Sequence, residues 1–217
     1  MKLIVIGISG ITGGGKTTLS TRLYEFLNNP QNSNVYNGFR INQVVLMHQD
    51  KYFYTRDSPH HKWIPEINFI NREILSAMDM DKFAEDVSET VRKLKADDTP
   101  KENSILNQDN NGSQIDVNIL IIEGFLIYND ARISQFCQLR FHIYLSYDVG
   151  LQRRLIRPFK HINPKPEWYY EHYIWPMYHK HLNEVPNKAE LVFLNGEQHV
   201  DDIFNEANDF ITKFLIQ

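Results

Sequence analysis

Gly10, Ile11, Thr12, Gly13, Gly14, Gly15, Lys16 and Thr17 fit the spacing G-x-x-x-x-G-K-[ST], and Thr18 follows directly. The chemistry of that spacing is anion binding. Successive backbone N–H groups in a tight glycine-rich loop form a concavity for phosphate oxygens. A helix that starts at the loop aims the positive end of its dipole at the same point. Lys16 adds a mobile charge for β- and γ-phosphates, and Thr17 offers a hydroxyl to the magnesium ion (Mg2+) that travels with ATP. A chance glycine-rich turn is the competing explanation. It carries little weight, because the apolar run Leu3-Ile-Val-Ile6 precedes the loop and Leu19 and Leu23 begin a helical pattern after it. The expected ligand is a nucleoside triphosphate.

Two carboxylates follow apolar runs in the same way. Asp50 comes just after Val44-Val-Leu-Met47, and Glu123 directly after Val117-Asn-Ile-Leu-Ile-Ile122. In open α/β sheets, ligands gather at the carboxyl ends of strands. There Asp50 can take a proton from a substrate hydroxyl or hold a water on magnesium. Glu123 can orient magnesium through water. From its own segment, Asp50 is as well explained by capping a turn. Tyr52 and Phe53 either wall a pocket or belong to the core, and His48 reads as a polar loop residue, not a ligand. Arg153, Arg154 and Arg157 share a helical stretch on which Arg157 neighbours both others. Arginine binds phosphate with a planar, permanently charged fork. The cluster runs into Pro158, Phe159, Pro164 and Pro166. That favours a hinged basic lid, about residues 157–168, over a merely solvated basic face.

The elements that must position these groups alternate. A helix is expected from Lys16 to about Leu27, stopped by Asn28-Asn-Pro30. A polar loop, Gln31 to Asn42, leads to the second strand. Tyr54 to Phe69 is irregular and aromatic, either a cover for a site or a packed surface loop. Glu73 opens a helical stretch whose buried stripe is Met80, Phe83, Ala84, Val87, Val91 and Leu94. Residues 97–114 are rich in Asn and Asp and read as a flexible polar loop. Arg140 to Leu145 gives a fourth strand, and Asp148 is placed to cap the next helix. Glu167 to about Asn183 is a packing helix in which Pro176 makes a break or kink. Leu191-Val-Phe-Leu194 is the fifth strand, and Ile203, Ala207, Phe210, Ile211 and Phe214 face a last helix inward. The fold class is α/β: one domain, 1–217, with a parallel five-stranded sheet, helices on both faces and a small lid.

Composition bounds the function. The chain has 217 residues, 42% hydrophobic and 23% charged, with a formal net charge of -4, so no broad basic surface for nucleic acid is expected. The single cysteine, Cys137, excludes an internal disulfide framework and suits a reducing compartment. The first strand starts almost at once, and no apolar run approaches the roughly 20 residues that span a bilayer. The expectation is a cytoplasmic protein, with the nucleus open as a second compartment, and no membrane partner.

Several of these residues together resemble nicotinamide riboside kinases, which are similar to uridine kinases within the P-loop kinases. They are Gly7 to Thr18, Gln49-Asp50 with Tyr52-Phe53, Ile121-Ile-Glu-Gly-Phe-Leu126 and Trp175-Pro-Met-Tyr178. The resemblance implies a P-loop kinase fold and a role for each position. Gly10 to Thr18 would bind ATP, with Arg153, Arg157, Pro158, Phe159, Gln198, His199 and Val200. Asp50, Lys16 and Glu123 would be catalytic, and Thr17 and Asp50 would touch magnesium. Asp50, Lys51, Tyr52, Phe53, Arg72, Glu73, Arg154 and Phe159 would meet the nucleoside. The chain departs from that pattern twice. Glu73 stands where the family has an aspartate for the ribose hydroxyls, and Arg72 where it tends to have an aromatic residue. The implied reaction is phosphorylation of nicotinamide riboside, and of nicotinic acid riboside, at the 5′-hydroxyl. The alternatives are a uridine or cytidine kinase and a non-catalytic ATP-binding regulator. The implied partners are ATP and a small nucleoside, in a monomer or weak homodimer.

Overall fold

The computed structural model describes residues 2–32, 36, 38–96, 115–156 and 165–216. The polar loop 97–114 and most of the proposed lid, including Arg157, Pro158 and Phe159, lie outside them.

Strand β1, Lys2–Gly10, runs through the centre of the sheet and carries the chain into the phosphate loop. Its alternate side chains serve opposite layers. Ile4, Ile6 and Ile8 pack on helix α1, Lys16–Asn28, and on the last helix, Val200–Ile216. Leu3 and Val5 pack on helix α2, Met80–Ala96. Every residue of β1 after Lys2 is buried, as in a strand covered on both faces. The other strands are β2 Phe39–His48, β5 Ile115–Glu123, β6 Leu139–Tyr144 and β7 Val192–Asn195. They lie in the order β2-β5-β1-β6-β7, and every pairing is parallel. Two two-residue strands, β3 Trp63–Ile64 and β4 Phe69–Ile70, form a hairpin within the segment read as irregular.

Gly10 ends β1 at φ +140°, a conformation in which a side chain is strained, and a Cβ there would run into the Ile143 carbonyl of β6. Gly10→Ala is therefore expected to cost about 2–5 kcal/mol, from strain plus overpacking. Gly38, at φ +83° with nothing within 4 Å of its Cβ position, should tolerate alanine much better. Thermal melts of both variants check this; equal shifts would contradict it.

Three local expectations are corrected. Glu73 does not open a helix. It lies in a bend before a 3₁₀ turn, Leu75–Ala77, and α2 starts at Met80. Asp79 wins the start because its carboxylate accepts the Lys82 N–H (2.9 Å), satisfying a free donor of the first turn. Asp148 is not a cap either; it sits in the first turn of α4, Tyr147–Ile156, where its charge still suits the dipole. Finally, of the break or kink expected at Pro176, the break is absent, and the distortion is a π-helical turn just before it. Helix α5, Pro166–Tyr169, passes through a π-helical turn, Tyr170–Ile174, into α6, Trp175–Glu184. The wide turn sits where proline would otherwise clash with the carbonyl four residues back. A short helix α3, Ala131–Ser134, follows β5, and the last helix is α7.

Candidate active site

Helix α1 begins bare. Its N-terminal flanking residue, Gly15, is left-handed at φ 101° and makes no side-chain cap, so the first-turn N–H groups stay available. Lys16 folds back over the loop, its Nζ donating to the Gly10 and Ile11 carbonyls at 3.0 Å each. From α4, Arg153 Nη1 donates to the Gly13 carbonyl (3.2 Å) and ties that helix to the loop.

The ends of β2 and β5 meet beside this loop. Glu123, buried, accepts from Thr17 Oγ1 (3.2 Å) through its Oε1. The same oxygen lies 2.8 Å from His48 Nδ1. The register explains the second contact, since His48 is paired directly with Glu123 across the sheet. His48 is thus the last residue of a strand and holds the acid, contrary to its reading as a loop residue. Gln49, fully buried, accepts the Leu126 N–H (3.0 Å) and ties the turn carrying Asp50 to the turn after Glu123. Asp50 itself is exposed, within the 3₁₀ turn Gln49–Tyr52.

Two clefts meet at the loop. One, of about 470 Å³, is lined by Gly14, Gly15, Thr18, Arg153, Gln198, His199 and Val200 among others. The other, of about 230 Å³, is lined by Lys16, Thr17, Asp50, Glu123 and Arg154 together with Phe53, Arg72, Glu73 and Phe125. Gly15 and Thr18 line both. Lys51 and Tyr52 line neither. Tyr52 turns away to donate to Asp86 (2.9 Å) and pack on Phe83. Ile11 is buried under the loop and takes part through its carbonyl.

Glu73 is held by residues the sequence did not single out. Tyr169 OH donates to its Oε1 (3.2 Å), and His181 Nε2 donates to its carbonyl (2.7 Å). Burial raises the pKa of its carboxyl group, opposed by the charge of Arg154 and the Tyr169 hydroxyl. Tyr169 and His181 lie among aromatics and histidines, with no spacing in the sequence that marks them.

Among the described residues there is no cluster of three or more His, Cys, Asp or Glu side chains fit to hold a metal ion. The Thr17 hydroxyl and the Glu123 and Asp50 carboxylates are hard oxygen donors. They fit Mg2+ that brings phosphate oxygens to complete its shell, not a caged ion.

The central glycine-rich loop, the acid paired to its threonine and the parallel sheet order define a P-loop kinase. The chain belongs to the Phosphoribulokinase / Uridine kinase family, whose model matches residues 5–161. Among curated proteins it is similar to nicotinamide riboside kinase 1 of Rattus norvegicus, 28% identical over 99% of this chain and 97% of that one. It is as similar to nicotinamide riboside kinase 2 of Homo sapiens, 28% identical over 100% and 84%. A uridine kinase of Anoxybacillus flavithermus is 23% identical over 90% and 87%.

Proposed function

We propose that this chain moves the γ-phosphoryl group of ATP to the 5′-hydroxyl of nicotinamide riboside, giving the mononucleotide. The observation that carries the reading is the pair of clefts joined at Gly15 and Thr18. One has the lining for a nucleotide donor; the other puts carboxylates where an acceptor would sit. The kinases of nicotinamide riboside named above, similar over nearly the whole chain, support the acceptor. Mg2+, entering with ATP, would neutralise phosphate charge, with Thr17 and Asp50 as its protein partners and Glu123 orienting its water. Lys16 leaves its two carbonyls to meet the β- and γ-phosphates, and Arg153 and Arg154 add charge from α4. Asp50 takes the proton of the attacking hydroxyl. Glu73 accepts hydrogen bonds from the ribose diol. ADP release measured against nicotinamide riboside, nicotinic acid riboside, uridine and cytidine tests the reading. Turnover confined to the pyrimidine nucleosides would refute it.

Glu73→Gln separates binding from chemistry. The carboxylate contacts hydroxyls that do not react, so its loss should raise the KM for the riboside about tenfold and spare that for ATP. It should also narrow the preference for ribosides over 2′-deoxyribosides. An unchanged riboside KM would remove Glu73 from the ribose site.

A further inference from the structure

The Arg72–Glu73 dipeptide is clamped from behind. The Arg72 N–H donates to Tyr169 OH (3.2 Å), and the Glu73 N–H donates to Asn71 Oδ1 (3.0 Å). With the Tyr169 and His181 bonds to Glu73, the backbone is fixed on several sides. The Arg72 side chain remains exposed in the acceptor cleft. Its guanidinium carbon lies 5.6 Å from the centre of the Phe53 ring, and Phe53 stacks on Phe125 at 6.1 Å.

Arg72 also lines a shallow neighbouring pocket with Arg56, Trp63, Phe69 and Ile70. Among the described residues, neither Arg56 nor Arg72 is paired with a carboxylate. Most other arginines here are committed: Arg40 to Asp116, Arg132 to Asp130 and Asp81, Arg22 to Asp201. Two cations sharing one pocket repel each other, and an anion arriving there relieves the repulsion.

We infer that Arg72, with Arg56 beyond it, forms a carboxylate-reading subsite, so that the best acceptor is the riboside whose pyridine ring bears a carboxylate instead of an amide. This rests on the pyridine riboside reading of the same cleft. A pyridine ring joined to ribose through nitrogen is positively charged. With an amide substituent it is a net cation and must approach two arginines. With a carboxylate it is a zwitterion, and a guanidinium fork can hold the carboxylate with two parallel hydrogen bonds. The Phe53 ring beside Arg72 and the Phe125 ring stacked on it offer an apolar face to the pyridine ring. Glu73 reads the sugar and Arg72, beside it in the chain, reads the base.

The experiment compares kcat/KM for nicotinic acid riboside and nicotinamide riboside in the unaltered chain and in Arg72→Gln, Arg72→Lys and Arg56→Gln. The unaltered chain should favour the acid. Arg72→Gln should lower the acid-to-amide ratio about ten- to a hundredfold, the scale of a hydrogen bond to a charged group. Arg56→Gln should lower it less, and Arg72→Lys, which keeps charge but loses the fork, should fall between. The ratio is taken within one preparation, so partial loss of folded protein cancels. An unaltered chain that favours the amide, or a ratio untouched by Arg72→Gln, would overturn the subsite and leave the pyridine riboside reading standing. Turnover of uridine with neither pyridine riboside would overturn both.

Discussion

Lys16→Ala should reduce kcat by about 10²–10³-fold or more, the scale on which one charge-stabilising donor counts in a transition state. Lys16 lies folded over the phosphate loop. Its Nζ sits on the Gly10 and Ile11 carbonyls of the loop, within reach of any phosphate cradled there, and it lines the cleft that also holds Asp50. Lys16 itself is only half-buried, where the loop enters α1 and not in the hydrophobic core. The melting temperature of the ligand-free protein should therefore move little. Steady-state ADP release and a thermal melt on the same sample check both halves. Near-normal turnover would remove the phosphate-loop mechanism altogether.

Asp50→Asn is expected to lower kcat by about 10²-fold or more, the contribution of a positioned general base. Asp50 is exposed, and the turn that carries it is secured by Gln49 to Leu126 and not by its own carboxylate. An exposed substitution of this kind changes stability by about 0.5 kcal/mol or less. A loss of rate with an unchanged melt would thus report on chemistry. The KM for ATP should change far less than kcat, because the interaction develops as the hydroxyl attacks. A large rise in the KM for ATP would instead make Asp50 chiefly a partner of the metal. Normal turnover would exclude Asp50 from the reaction.

The parts of the site that were legible in the sequence are local ones. The phosphate loop is a strand, a glycine-rich turn and a helix in unbroken order, so its ligand chemistry can be read from spacing. Asp50 and Glu123 announce themselves by ending apolar runs at the edge where parallel strands deliver their ligands. The five strands and the two faces of helices follow from the same alternation. What stayed hidden depends on approach between distant segments. His48 meets Glu123 because of strand register, Gln49 meets Leu126 across the ends of two strands, and Tyr169 and His181 reach Glu73 from another helix. None leaves a periodic signature. The β3–β4 hairpin has two-residue strands, too short for alternation to register. Glu73 was misplaced in a helix because the stripe from Met80 onward extends backward without an obvious stop, until Asp79 supplies one.

The π-helical turn at Tyr170–Ile174 works as a phase shifter between two hands that grip the same residue. At about 100° per residue, Tyr169 and His181 would point about 120° apart on a regular helix. The turn absorbs one extra residue, and the same pair comes to within about 20°. Both can then face Glu73, one at its carboxylate and one at its carbonyl. Winding is consequently the sensitive variable in that stretch. Removing a single residue from the turn would make a more regular helix and still leave His181 within about 20° of Tyr169, whereas regularising the turn at unchanged length would swing His181 about a third of a turn away and release Glu73.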